Sequence, residues 1–75
     1  MAERSVMDSV ARLVPPGSRV LDLGCGDGAL MAHLQAMRGC TGYGVEIDDA
    51  KVQACLRRGV NVLQLNLEDG LTMFG

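Results

Sequence analysis

Only one histidine occurs in the 75 residues, and the three cysteines, Cys25, Cys40 and Cys55, include no C-x-x-C pair. So odd and widely spaced a set excludes a disulfide framework and a zinc site, and no metal ligands are assigned. Neither sign of charge dominates: seven basic residues against nine acidic ones give a net charge of −2. With no basic surplus to meet phosphates or anionic lipid, nucleic acid and membrane surfaces are excluded as partners. No apolar run approaches the roughly 18 residues of a spanning helix, and the charged Met1 to Ser9 stretch lacks the apolar core of a signal peptide. The chain therefore reads as cytoplasmic, with reduced thiols. It is short as well, one domain at most, burying roughly 60% of its unfolded surface. That excludes a large active site with its own lid. Linkers and low-complexity tracts are absent too, while the 48% apolar content is too high for a disordered chain.

What is present is an alternation of helical and strand patterns. Val6, Met7, Val10, Leu13 and Val14 recur at helical spacing over Glu3 to Val14, and Pro15-Pro16-Gly17 ends that helix. Arg19 to Leu23 is a short apolar run between turn formers, a buried strand. After Gly24-Cys25-Gly26-Asp27-Gly28, a second helix spans Ala29 to Arg38 with Leu30, Met31, Leu34 and Met37 in register, capped by Gly39. Tyr43 to Ile47 is a second strand. Asp48 or Asp49 caps a helix running to Arg58 with Val52, Cys55 and Leu56 inward, and Val60 to Leu65 is a third strand. Residues Asn66 to Gly70 form a polar turn, and Leu71 to Gly75 is too short for another element of the series. The order α-β-α-β-α-β predicts an α/β fold with three parallel strands in order 3-2-1 and flanking helices.

A strand that runs into closely spaced glycines and opens a helix lets a ligand approach free backbone N–H groups at the helix start. Gly24, Gly26 and Ala29 satisfy G-x-G-x-x-[GA], and Glu46 follows at about the 20-residue distance of a ribose-binding acid. NAD is one ligand this pattern admits. Asp22 and Asp27, however, place acid on both sides of the glycines, which suits the ammonium and sulfonium of S-adenosylmethionine better than the two phosphates of NAD.

V-L-D-L-G-C-G-D-G at Val20 to Gly28 resembles motif I of the class I S-adenosylmethionine-dependent methyltransferases, and G-Y-G-V-E-I-D at Gly42 to Asp48 resembles the acidic end of their second strand. With R-G-V-N-V-L-Q-L-N-L-E-D-G-L from Arg58 to Leu71, the chain is similar to the MetW family of methionine biosynthesis. The resemblance covers about Ser18 to Leu71. It implies the N-terminal half of a Rossmann-like class I methyltransferase fold, an S-adenosylmethionine-binding half-domain over residues 1–75. In such a fold the first strand is central, yet here it would be an open edge. The expectation is therefore a truncated form of a roughly 200-residue protein, inactive by itself.

The resemblance also implies roles. Asp22, Gly24, Cys25 and Gly26 line the methionine portion, Asp22 through its carboxylate and the other three through their backbone, and Gly28 belongs to the same cofactor-binding turn. Glu46 accepts both ribose hydroxyls, Ile47 packs on adenine, and Asn66 with the backbone of Leu67 meets the adenine amino group. The family commonly has Asp where Asn66 stands, so that bond would be neutral and weaker. No catalytic residue is assigned. The family's association with homoserine O-acetyltransferase implies a second function, a non-catalytic partner or regulator of that enzyme. Taken as residues alone, the glycine turn also fits a connection the fold requires, Glu46 a solvated strand end, Asp22 a cap on a neighbouring turn and Asn66 a turn former. His33 reads as a solvated side chain, Met31 and Met37 as core, and Cys40 and Cys55 as packing or surface thiols.

Overall fold

The computed structural model describes residues 2–66. Its elements are α1 (Ala2–Leu13), β1 (Arg19–Leu23), α2 (Ala29–Arg38), β2 (Thr41–Glu46), α3 (Asp49–Arg57) and β3 (Val62–Gln64). The strands form one parallel sheet in the order β1-β2-β3, with Leu21 opposite Tyr43, Leu23 opposite Val45, and Val45 opposite Leu63. This is the expected 3-2-1 order, with β2 in the middle. The polar turn and tail expected beyond Asn66 lie outside the described residues. No described helix is long and apolar enough to cross a membrane.

Local chemistry explains the boundaries. Leaving α1, the Pro15-Pro16-Gly17 turn is closed by Ser18, whose hydroxyl donates to the Pro15 carbonyl at 2.6 Å. The same turn stops the end of α2: Gly17 N–H donates to the Arg38 carbonyl, and Arg38 Nε donates to the Val14 carbonyl. Gly39 ends α2 as expected, in the left-handed conformation, with its N–H on Gln35 and that of Cys40 reaching back to Leu34. Asp48, rather than Asp49, caps α3 by accepting the Lys51 amide at 3.0 Å. β2 begins two residues before the expected Tyr43 and ends at Glu46 rather than Ile47, because Thr41 and Gly42 pair with Arg19 and Val20. Gly42 belongs to the strand because its backbone lies so close to β1 that a Cβ there would overlap the Val20 carbonyl.

Both buried clusters of the core lie on one face of the sheet. Cys25, Met31, Cys55 and Val60 form one buried cluster against Val20, Ala32 and Val62, and Ala11, Leu34 and Cys40 form a second against Val14, Val20 and Leu30. Strand residues alternate between faces, so Val20, Asp22, Gly44 and Glu46 face the helices. Leu21, Leu23, Tyr43 and Leu63 face the other way and are exposed, with Leu21 at 64% and Leu23 at 60%. The expectation that β1 is buried on both faces is thus corrected: α2 and α3 lie on one face, and on the other, among the described residues, no helix packs and only Val45 of the central strand, between Leu23 and Leu63, is buried.

Three helix faces also differ from expectation. Met37 is exposed, being about 240° round α2 from Met31. Leu56 is exposed, about 100° from the buried Cys55. Val6 and Leu13 are exposed because α1 meets α2 through Ala11 and its neighbours, and Leu13 lies about 200° from Ala11. His33 is not solvated: its side chain is 18% exposed, and Nε2 lies 2.9 Å from Asp8 Oδ1 of α1 without making a hydrogen bond.

Candidate cofactor site

The C-terminal ends of three parallel strands bring the candidate residues together. β1 delivers Asp22 and the glycine turn, β2 delivers Glu46 and Ile47, and β3 leads into Asn66. The turn is fastened to β2 at its start, where the amides of Gly24 and Cys25 both donate to the Val45 carbonyl, at 2.8 and 3.0 Å. Gly24 and Gly26 have φ of 71° and 60°, backbone that L residues rarely adopt, and a Cβ on either would meet open space. Their upper side is available to a ligand. Gly28 serves a different end: a Cβ there would come within 3.0 Å of Cys55 Sγ and 3.3 Å of Val60, so its smallness lets α2 sit close on α3.

The free N–H groups at the start of α2 are partly claimed. Gly28, the N-cap, offers no side chain, and Asp27 Oδ1 instead accepts the Ala29 amide at 3.0 Å. Arg58 Nη2 approaches the other Asp27 oxygen at 3.5 Å. The carboxylate therefore occupies the place where a phosphate would bind a helix N-terminus.

Glu46 is organised by three backbone donors. Oε1 accepts from Gly26 at 2.9 Å, and Oε2 accepts from Ile47 and Asp48 at 3.0 and 3.1 Å. The Asp48 amide foremost, then those of Gly26 and Ile47 and the charge of Lys51, hold its carboxyl below the usual glutamate value and outweigh desolvation. A carboxylate has about four lone-pair positions. Three are filled, and one on Oε1 is left for an outside donor. Glu46 is therefore a built part of the turn, not a loose strand end.

Asp22 differs in kind. Half-buried on the helix-facing side of β1, it has its pKa raised by desolvation, and among the described residues nothing donates to it. Among the described residues it caps no turn. Cys25 buries its side chain, and burial, then contact with Cys55 and the charges of Asp22 and Glu46, push its thiol up to about 12. That makes it a poor nucleophile, and its backbone is engaged within the turn, the amide on the Val45 carbonyl and the carbonyl accepting the Gly28 amide at 3.2 Å.

Ile47 is exposed beside Glu46. Asn66, also exposed, follows Leu65, whose amide continues the β3 pairing onto the Glu46 carbonyl. Leu67 lies outside the described residues. Three further contributors were not singled out from the sequence. Gly44 makes room for Cys25, since a Cβ there would overlap its sulfur. Gln64 Nε2 donates to the Ile47 carbonyl at 3.1 Å and to Asp49 Oδ1, fixing the loop that carries Glu46. Cys55 contacts the turn from α3. An internal glycine in a strand signals such a close approach. Nothing local marks Gln64 or Cys55.

The chain is 35% identical to the bifunctional methionine biosynthesis protein MetXA/MetW of Rhodopirellula baltica, a match covering 89% of this chain and 12% of that protein. Among solved structures it is similar to a TehB-like SAM-dependent methyltransferase from Corynebacterium glutamicum, with a TM-score of 0.71 and 21% identity over 81% of this chain and 34% of the other. It is also similar to coclaurine N-methyltransferase bound to N-methylheliamine and SAH, with a TM-score of 0.71 and 28% identity over 87% of this chain and 22% of that one. The chain thus spans a minor part of the length of each. The family model described as methionine biosynthesis protein MetW matches residues 4–75; the chain belongs to the MetW family and has a class I methyltransferase-like, Rossmann-like fold.

Proposed function

We propose that the glycine turn, Asp22 and Glu46 form a binding site for S-adenosylmethionine. The observation that carries this reading is Asp22, a half-buried carboxylate at the end of β1 to which no described residue donates. An uncompensated charge in that position is costly unless a cation meets it. The ammonium of the methionine portion supplies one, directly or through water. Glu46 has an acceptor position to spare for a ribose hydroxyl, and a second hydroxyl would share or displace one of the three backbone donors. The open sides of Gly24 and Gly26 let a ligand lie against the turn, the backbone of Cys25 between them completes its rim, and Gly28 keeps the turn seated on α3. Ile47 offers an apolar surface to adenine, Asn66 a carbonyl oxygen to its amino group, and Leu67 its backbone.

When bound, S-adenosylmethionine supplies a methyl group on a positively charged sulfur, open to in-line displacement. The residues of this chain orient the donor. NAD fits less well, because Asp27 already occupies the start of α2 and Asp22 adds a second negative charge. Three free, buried thiols suit a cytoplasmic setting. Titration calorimetry with S-adenosylmethionine tests the reading: Asp22→Asn and Glu46→Gln should each weaken binding about tenfold or more. Equal affinity in the wild type and both variants contradicts it.

A second reading, a partner of homoserine O-acetyltransferase, is favoured by the R. baltica relative, whose name joins MetXA and MetW in one bifunctional protein. A complete protein that binds the cofactor, transfers no methyl group and alters the acetyltransferase rate would support that role. No effect on the rate would count against it.

A further inference from the structure

Gly26 is held on both sides of its backbone. Its amide donates to Glu46 Oε1 at 2.9 Å, while its carbonyl lies 3.2 Å from Cys55 Sγ. Cys55 is fully buried on α3. Its sulfur is also 3.7 Å from Cys25 Sγ and limits how closely Gly28 approaches. Three of the five residues of the glycine turn therefore rest on one thiol.

We propose that Cys55 is a positioning residue for the cofactor turn: its S–H donates to the Gly26 carbonyl, and its sulfur sets the height of the turn above α3. The functional meaning of this role rests on the S-adenosylmethionine reading above. Cys25 is the poorer donor, its sulfur lying 3.8 Å from the same carbonyl. A thiol this deeply enclosed has geometry rather than reactivity to offer. With Glu46 holding the amide and Cys55 the carbonyl, Gly26 presents a fixed peptide on its open side, so a ligand there would not have to order it.

The test compares the full chain with Cys55→Val, which keeps bulk but has no donor, Cys55→Ser, which keeps a donor, and Val52→Ala, a buried change on the same helix. Two readouts are used, the amide resonances of Gly24, Gly26 and Gly28 without ligand and the calorimetric affinity for S-adenosylmethionine. Cys55→Val should shift the Gly26 resonance and weaken binding about three- to tenfold. Cys55→Ser should recover part of that loss. Val52→Ala should lower stability with affinity unchanged. Wild-type glycine resonances and affinity in Cys55→Val overturn the proposal, as does a loss in Val52→Ala as large as that in Cys55→Val. Cys55→Ala makes the same comparison if valine is not accommodated. A wild-type chain that binds no S-adenosylmethionine defeats the cofactor reading, and the amide resonances still decide whether Cys55 seats the turn.

Discussion

Gly26 and Glu46, on different strand ends, are joined by a 2.9 Å hydrogen bond from the glycine amide to Oε1. This bond makes the turn after β1 and the end of β2 one unit. It also couples Glu46 to stability, because the same carboxylate accepts from Ile47 and Asp48.

The coupling gives a pH dependence of definite sign. The folded-state pKa of Glu46 lies below the ordinary 4.5, chiefly through the Asp48 amide. Its contribution is therefore fully present above the unfolded value and is lost as pH falls through the depressed folded value. Urea unfolding of wild type and Glu46→Gln between pH 7 and 3 should show a stability gap that narrows below about pH 4.5. A constant gap would contradict the assignment.

Asp22 should behave in the opposite sense. Desolvation raises its folded pKa above the ordinary 3.8, so the charged form costs stability at neutral pH, and the cost is relieved as pH falls through the folded value. Asp22→Asn should leave the ligand-free chain at least as stable as wild type at pH 7 while weakening S-adenosylmethionine binding. Thermal melting with and without ligand separates the two effects. A variant that is destabilised without ligand would show that Asp22 has a structural partner.

The glycines should divide by mechanism. Gly26→Ala meets open space and carries mainly the left-handed backbone cost of about 1–2 kcal/mol. Gly28→Ala adds a 3.0 Å approach to Cys55 Sγ and a 3.3 Å approach to Val60, and overpacking of that kind typically costs about 1–3 kcal/mol more. Denaturant titration should therefore rank Gly28→Ala as the more destabilising. Equal losses would mean that α2 does not rest on α3 through Gly28.

Much of this was legible in the sequence, for identifiable reasons. Pro15-Pro16-Gly17, Gly39 and Asp48 punctuate the chain through local chemistry, and they stop or start helices as their residue types dictate. Glu46 was readable because its distance from the glycines follows from one strand–helix–strand unit. Burial was less so: periodicity places Leu21 and Leu23 in a strand but does not say which faces are covered, and it includes Met37 and Leu56, which lie off the packed helix faces. Cys55 and Gln64 reach the site only through tertiary contact, which no spacing along the chain encodes.

The one-sided core is testable in the same way. Met31→Ala, inside the buried cluster, should cost about 2–5 kcal/mol. Leu21→Thr, on the open face, should change stability by only about 0.5 kcal/mol. Denaturant unfolding of both variants checks the contrast, and comparable losses would place Leu21 in a covered interface.

The most direct measurement of the central claim is parallel calorimetric titration of the chain with S-adenosylmethionine and with NAD. Saturable one-to-one binding of S-adenosylmethionine, with NAD much weaker or silent, is the expected result. Binding of NAD alone would contradict the assignment of Asp22 and Glu46 to a sulfonium cofactor.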